Sequence, residues 1–174
     1  MAYTEVTGLA DHDRFTRDQA NAFIHDNLEA LRNPPTALYV TSGRSTNYST
    51  SSTSFVDVDT TNMTLTVTST GDGTGGNSSV FLGFCGTVYG NAQIYFRVLK
   101  NGVTAIGADD GIIVIEANGG GVRPASFLFP VDLGAGTHTF ALQWKVASGT
   151  GELMANVGTS GRDCKAMFFA RELT

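Results

Sequence analysis

The fold is decided by an alternating stretch in the middle of the chain, Phe96-Arg97-Val98-Leu99-Lys100-Asn101-Gly102-Val103-Thr104-Ala105-Ile106. Two short apolar runs flank Asn101-Gly102, and this dipeptide favours a type I′ turn because both of its residues must adopt φ > 0. Such a turn joins two antiparallel neighbours. The stretch therefore predicts a β-hairpin.

The same two-residue period recurs on both sides of the hairpin. Apolar side chains alternate with threonines over residues 63–68, and residues 139–146 alternate in the same way around Trp144, which is expected in the core. Further strand candidates, most of them bounded by Gly-rich turns, are residues 37–41, 54–59, 80–89, 92–99, 104–106, 111–117, 126–131, 152–157 and 165–171. Strands at this spacing predict an all-β fold, an antiparallel β-sandwich of the jelly-roll type.

Composition supports this fold class and excludes several partners. The chain has 174 residues, 21 of them Gly, and only 16% are charged, so one domain rich in turns is expected. A net charge of −5 disfavours binding to nucleic acid and to anionic membranes. No apolar run is long enough to span a bilayer. No basic segment followed by an apolar run opens the chain, so synthesis in a cytosol is expected.

A change of period near the start predicts one short amphipathic helix before the sandwich. Thr16 and Gln19 have the spacing of a capping box, Phe15 precedes it, and Asn33-Pro34-Pro35 ends the pattern, which places the helix at about residues 17–32. Its apolar stripe consists of Ala20, Phe23, Ile24, Leu28 and Leu31.

The predicted helix needs a partner, because a helix of this length is marginal in isolation. Residues 1–35 are therefore interpreted as an arm for docking and oligomerisation, and residues 36–174 as the β-domain. The predicted contact residues in the arm are Phe15, Phe23, Ile24, Leu28 and Leu31. Near the other end of the chain, adjacent Phe168 and Phe169 must point to opposite faces of a strand, so one ring faces outward; Phe168 is assigned to the subunit contact.

Residues that could support catalysis or bind a cofactor are scattered. Gly71, Gly73 and Gly76 match the glycine spacing of a dinucleotide loop, but a strand candidate follows them where that site needs a helix, so a hairpin loop is predicted. The three histidines lack zinc-ligand spacing. No catalytic group and no cofactor are predicted, and the chain is not expected to be an enzyme.

Three acidic clusters are candidate metal ligands. Asp11-His12-Asp13 is expected to be solvated, and neither Asp57 with Asp59 nor Asp109-Asp110 completes a set of oxygen ligands for calcium, which stays a minor alternative. No metal is predicted.

The remaining candidates are thiols and aromatic rings. Cys85, inside an apolar strand, is expected to be buried and inert, and Cys164 to be more exposed. Tyr39, Tyr48 and Tyr95 are candidates for stacking on a glycan.

Two segments carry a resemblance to bacteriophage structural proteins. Residues 7–31 resemble the segment in which such proteins place a short helix before a β-domain. The matching positions are Asp11, Asp13, Phe15, Thr16, Asn21, Asp26, Asn27, Leu28 and Leu31. Residues 133–150 and 168–172 look like the last strands of virion jelly-roll heads, which are related in shape to the trimeric tumour-necrosis-factor and complement-type domains.

The resemblance implies a non-enzymatic virion component, made in the host cytoplasm and assembled as a homotrimer. It implies a capsid decoration protein, head fibre or tail-associated protein, and we favour decoration because one compact domain suits a knob better than a shaft. The implied partner is the major capsid protein or another virion protein. The alternative is a carbohydrate-binding module of a tail fibre or tip that recognises a glycan on the host surface. An all-β hydrolase is disfavoured because no acid/base pair is evident.

Overall fold

The structure is a computed structural model that describes residues 24, 36–40, 44–71, 75–117, 119–155 and 164–173. Within these residues the named elements are all β-strands, joined by turns and irregular segments. The strands are β1 (Thr36–Val40), β2 (Tyr48–Thr50), β3 (Val56–Asp57), β4 (Thr64–Ser69), β5 (Ser78–Gly90), β6 (Gln93–Lys100), β7 (Thr104–Ile106), β8 (Ile113–Glu116), β9 (Gly121–Leu133), β10 (Gly136–Val146), β11 (Gly151–Leu153) and β12 (Met167–Leu173).

The first sheet is built around the long strand β5. One edge of β5 pairs with β9 along its whole length, and the other edge pairs first with β12 and then with β11. Because β12 and β11 occupy successive lengths of the same edge, they form one interrupted strand. β1 pairs with β12 and β2 pairs with β11, so β1 and β2 form a second interrupted strand at the border of the sheet.

The second sheet is built around β10 and β6 in the same manner. β3 and β4 pair with successive lengths of one edge of β10, whose other edge pairs with β6. β7 and β8 then share the free edge of β6. In the described part of the chain, each sheet therefore contains four strands when an interrupted strand is counted once.

When each interrupted strand is counted once, the described strands can be numbered 1 to 8 along the chain. The first sheet then has the order 1-8-3-6, which is β1/β2, β11/β12, β5 and β9. The second sheet has the order 2-7-4-5, which is β3/β4, β10, β6 and β7/β8. All pairings between named strands are antiparallel. Except for the hairpin between the fourth and fifth strands, every connection crosses from one sheet to the other. The prediction of an all-β fold of antiparallel sheets is confirmed.

The core lies between the two sheets, where aromatic rings from both meet. The ring centroid of Phe84 in β5 is 5.0 Å from that of Phe96 in β6 and 5.7 Å from that of Phe127 in β9. Trp144 in β10 stacks on Phe96 with a centroid distance of 6.0 Å. Burying each large apolar side chain contributes roughly 1.5–3 kcal/mol. The core position predicted for Trp144 is confirmed.

The hairpin that opened the sequence analysis forms as predicted. Asn101 has φ 52° and Gly102 has φ 71°, as a type I′ turn requires, and the Val103 amide donates to the Lys100 carbonyl over 3.1 Å. The predicted helix over residues 17–32 and the arm of residues 1–35 lie outside the described residues, apart from Ile24, and stay predictions. Among the described residues, no helix has the length and apolar character needed to cross a membrane.

Candidate assembly surface

One row of apolar side chains crosses the outer surface of the first sheet from edge to edge. Leu38 pairs with Phe169, Phe169 with Gly83, and Gly83 with Leu128, so the row passes through β1, β12, β5 and β9. Leu38 and Leu128 are 59% and 61% exposed. The Phe169 ring lies over Gly83, in the space that a β-carbon would occupy. The middle of this sheet thus presents a large apolar surface to its surroundings.

The neighbouring rows extend this surface in both directions. On one side Phe81 pairs with Pro130, and on the other Met167 pairs with Cys85, which pairs with Ser126. Successive side chains of a strand point to opposite faces, so these residues share the outer side with Phe169. We define the apolar face by Leu38, Phe81, Gly83, Cys85, Pro124, Leu128, Pro130, Met167 and Phe169. Exposed apolar patches of this kind mark interaction sites.

The outer surface of the second sheet is more polar. Hydrogen-bonded side chains occupy its centre, although Leu99 and the 47% exposed Val114 share this surface. Arg97 Nε donates to Gln143 Oε1 over 2.8 Å, and Gln143 Nε2 donates to Asp57 Oδ1 over 2.7 Å. Gln143 is buried beneath these neighbours although it faces away from the core. The row Asp57–Gln143–Arg97 thus satisfies its own hydrogen-bonding groups.

Aromatic rings and cations form the next row of this second surface. The Arg97 guanidinium lies 4.1 Å and the Lys145 ammonium 4.8 Å from the ring centroid of Phe55. Lys145 also lies 4.8 Å from the centroid of Tyr95 and pairs with Asp110 over 2.9 Å. Cation–aromatic contacts of this geometry stabilise exposed sites by about 0.5–1 kcal/mol each.

The three tyrosines predicted for glycan contact do not come together. Tyr95 is half-buried on the outer side of the second sheet, where its hydroxyl donates to Gln93 Oε1 over 2.6 Å. Tyr39 and Tyr48 belong to β1 and β2 of the first sheet, paired with Phe168 and Leu153, and Tyr48 is buried. A single glycan site formed by all three is therefore wrong, because the two sheets separate them.

Tyr48 instead takes part in a structural contact beside the edge of the first sheet. The Arg44 guanidinium lies 3.8 Å from its ring centroid, and Arg44 Nη1 is 3.4 Å from Asp59 Oδ2. Burial, with a smaller contribution from the Tyr39 hydroxyl, raises the pKa of Tyr48 well above its usual range. This phenol stays protonated at physiological pH.

Asp59 organises the turn that leads into β4. Its Oδ1 accepts from the backbone amides of Thr61 and Asn62, both over 2.8 Å, and its Oδ2 accepts from Asn62 Nδ2 over 3.1 Å. Burial opposes ionisation of Asp59, but these donors outweigh it and lower its pKa below the ordinary value. The Asp59 carboxylate accepts hydrogen bonds within the turn, whereas the Asp57 carboxylate accepts one from Gln143, so the two carboxylates do not share a site.

Of the docking residues predicted in the arm, Phe15, Phe23, Leu28 and Leu31 lie outside the described residues. The remaining one, Ile24, is 55% exposed.

The assignment of Phe168 to a subunit contact is wrong. Phe168 is fully buried between the sheets, and its neighbour Phe169 carries the ring on the outer side. Both residues are apolar, so the alternation rule alone did not determine which ring points inward.

The thiols differ from expectation as well. Cys85 is exposed on the apolar face, and Cys164 is half-buried. Cys85 alternates with Phe84, whose ring fills the core, so the thiol must point outward. The expectation that Cys85 is buried and the less exposed of the two is wrong.

Other polar candidates have structural partners. His138 Nε2 lies 3.0 Å from the Gly134 carbonyl oxygen, and Glu172 accepts from Ser69 and Ser78 inside the sandwich. Within the described ranges, no three His, Cys, Asp or Glu side chains form a group that could hold a metal ion. The middle of the Gly71–Gly76 loop lies outside these ranges, and strand β5 follows it.

Sequence reasoning missed the apolar face, although the sequence contains a signal for it. Residues 80–86 form an almost uninterrupted apolar run in β5. A strand with one solvated face alternates apolar and polar residues, whereas an uninterrupted run is typical of a strand covered on both faces. Among the described residues, the second sheet covers the inner face of β5.

Comparisons with known proteins find no family. No protein-family model and no curated protein matches the chain. An exo-β-1,3-galactanase from Phanerochaete chrysosporium is similar in structure with a TM-score of 0.32 and 14% identity over 79% of this chain and 28% of that chain. This chain thus corresponds to under a third of the galactanase.

Two crystal structures of a pentameric capsid protein from metagenomic phage sequences are also similar. Both have a TM-score of 0.26 and cover 97% of this chain; the identities are 13% and 14%, over 81% and 79% of those chains. Similarities this distant assign the chain to none of these proteins' families.

Proposed function

We propose that the chain is a non-enzymatic structural protein of a tailed bacteriophage particle, a capsid decoration protein that self-associates on the virion surface. The observation that carries the proposal is the contrast between the two outer surfaces of the sandwich. One is an apolar face with Leu38 and Leu128 largely exposed, and the other is a self-satisfied polar network. An assembling subunit needs one surface to bury and another to keep in water.

The strand order supports the same proposal. The orders 1-8-3-6 and 2-7-4-5 describe a jelly roll, an architecture that viral capsid domains and lectins share. A fold by itself does not determine function. The proposed function therefore depends mainly on the apolar face and on the phage-like segments at residues 7–31 and 133–150. The implied partners are further copies of the chain, with three the number that the resemblance implies, and the major capsid protein or another virion protein.

The use of polar residues supports a role without chemistry. Asp57, Asp59 and Glu172 each accept hydrogen bonds that hold a sheet surface, a turn and the interior. A catalytic carboxylate needs a pocket that also admits a substrate. These three carboxylates lie in three different parts of the fold.

The experiment is to locate the chain in virions. Particles are purified from a lysate of the host that carries the gene and are labelled with immunogold against the chain. We expect label distributed over the head, and stoichiometric recovery of the chain by mass spectrometry of the particles. Virions that lack the chain would overturn the proposal, and label confined to the tail tip would favour the alternative.

The alternative, a carbohydrate-binding tail module, is favoured by one observation. Phe55 and Tyr95 lie near Arg97 and Lys145 on the outer surface of the second sheet, and aromatic rings beside hydrogen-bonding groups suit sugar recognition. A glycan array of the native chain tests it against Tyr95→Ala, with Tyr39→Ala on the first sheet as the control. Sugar binding that is lost only in Tyr95→Ala supports this alternative.

A further inference from the structure

Two charged side chains lie in the paired rows of the apolar face. These are the five outward rows that contain Phe81, Gly83, Cys85, Thr87 and Tyr89. Among the described residues paired in these rows, the charged side chains are Arg171, in the row of Phe81, and Glu152, in the row of Tyr89. The two charges thus lie at opposite ends of the face, and both belong to the interrupted strand formed by β11 and β12. Two further charges lie beside these rows: the exposed Lys165, two residues before Met167, and Asp132, which pairs with Ser79.

Arg171 and Glu152 lie at equal distances from the row of Met167 and Cys85. Arg171 is in the row of Phe81, four residues of β5 before Cys85, and Glu152 is in the row of Tyr89, four residues after Cys85. At about 3.4 Å per residue, each charge lies roughly 14 Å from the row of Met167 and Cys85, in opposite directions. A two-fold axis along this row exchanges the two positions.

We propose that two copies of the chain pack through their apolar faces, related by a two-fold axis that lies along the Met167–Cys85 row, perpendicular to the strands. This rests on the self-association proposed above and names the surface that makes it. In an isologous contact, residue i of one copy meets residue j of the other and j meets i. Arg171 of each copy then lies opposite Glu152 of the other.

The remaining rows match under the same operation. Phe81 comes opposite Tyr89 of the second copy, and Leu128 comes opposite Pro124. Cys85 comes opposite Cys85. Most of the contact therefore joins apolar surface to apolar surface, and Lys165 comes opposite the Phe169 ring of the second copy. Both ends close with opposite charges, an arrangement that selects orientation as well as partner.

The charges also disfavour the competing orientation. A two-fold axis parallel to the strands would also stack the two faces. It would bring both Arg171 side chains to one end of the interface and both Glu152 side chains to the other, where like charges repel. A two-fold contact joins copies in pairs, so the proposal predicts an even subunit number, in contrast to the trimer that the resemblance implies.

Cys85 provides a direct probe. Packed sheets lie about 10 Å apart, which is beyond the Cα separation of a disulfide but within reach of a short bis-maleimide. In the full chain with Cys164→Ser, we expect this reagent to give a covalent dimer through Cys85, and Cys85→Ser to abolish it. Light scattering of the unreacted protein is expected to give an even number of subunits.

Charge reversal then tests the orientation. Arg171→Glu is expected to weaken association roughly tenfold, because two attractive pairs become repulsive. The double variant Arg171→Glu with Glu152→Arg is expected to restore it. The matched control, Lys145→Glu with Asp110→Arg, reverses a pair on the second sheet and should leave self-association unchanged. Thermal unfolding of every variant verifies folding, since Glu152 also accepts from Asn47 Nδ2 over 2.9 Å.

Three results would overturn the pairing. They are a chain whose Cys85 does not cross-link, a trimer by light scattering, or a double variant as weak as Arg171→Glu alone. If the chain is present in purified virions in any of these cases, the proposed function stands and only the pairing is wrong. If Cys85 cross-links but virions lack the chain, the pairing stands and the proposed function is wrong.

Discussion

The ring of Phe169 occupies the space above Gly83 that a β-carbon would fill. The two residues are direct partners across β12 and β5, so the absent side chain of one makes room for the ring of the other. This contact brings the ring flat against the sheet in the centre of the apolar face. Glycine is needed here for close approach, not for an unusual backbone conformation.

Gly83→Ala is therefore expected to lower the free energy of unfolding by about 1–2 kcal/mol. Overpacking costs about 1–3 kcal/mol, and the reduced entropy of the unfolded chain offsets about 0.4–1 kcal/mol of this. Urea denaturation measures the change. In a Phe169→Ala background the same substitution should be neutral or stabilising, because the obstructing ring is gone. Equal losses in both backgrounds would show that the ring is not the cause.

A second prediction concerns Glu172, which is only 1% exposed. Its Oε1 accepts from Ser69 Oγ over 2.6 Å and from Ser78 Oγ, and the Gly71 amide donates to Ser69 Oγ over 3.1 Å. The two hydroxyls also hydrogen-bond each other over 2.8 Å. Glu172→Leu leaves that bond but removes the acceptor they share, so one buried O–H loses its partner, which costs about 1–3 kcal/mol.

The matched variant adds Ser69→Ala and Ser78→Ala to Glu172→Leu. Removing all three side chains of a buried polar network is less costly than removing its acceptor alone, although Ser69→Ala also takes the acceptor from the Gly71 amide. We therefore expect the triple variant to recover part of the lost stability. Chemical denaturation of the single and triple variants makes the comparison. A triple variant less stable than Glu172→Leu would contradict this account.

The pH dependence of stability provides a third prediction, through Asp59. Its pKa in the folded chain lies below the ordinary value of 3.8, so the unfolded chain binds a proton at higher pH than the folded chain does. The stabilisation is therefore fully present above about pH 4 and is lost as pH falls through the folded pKa. Asp59→Asn should be less stable than the native chain at pH 7 and should lose less stability on acidification. Thermal unfolding from pH 7 to pH 2 tests both, and parallel curves would exclude Asp59 as a contributor.

The fold was largely predictable because its strands alternate. Residues 139–146 formed the predicted half-buried strand, and residues 104–106 formed a strand with the predicted bounds. Strand β9 is predicted over residues 126–131 but spans Gly121–Leu133, because Pro124 resembles a strand breaker. Proline is tolerated on an edge strand, and β9 pairs only with β5. Whether a strand lies at an edge is a property of the whole sheet, which local patterns do not contain.

The candidate surface was less predictable for the same physical reason. Alternation assigns two faces to β12, but Phe168 and Phe169 are both apolar, and only the packing of the second sheet determines which ring enters the core. The three-residue strand β2 was missed because Tyr48-Ser49-Thr50 is too short and too polar to show a period. The tyrosines could not be grouped from sequence, since β-sandwich topology places Tyr48 and Tyr95 on different sheets.

The last prediction separates two roles of Asn101 in the turn. Its φ of 52° lies in the left-handed region, and its Oδ1 accepts from the Thr139 amide of β10 over 2.8 Å. Asn101→Gly keeps the backbone conformation accessible but removes the acceptor, Asn101→Asp keeps both, and Asn101→Ala loses both. We expect stability to fall in the order Asn, Asp, Gly, Ala, with Ala lower than Asn by about 2–3 kcal/mol, as the backbone and hydrogen-bond costs combine. If Gly equals Asn in urea denaturation, the bond to Thr139 contributes nothing; if Gly equals Ala, the left-handed backbone does not limit the choice of residue.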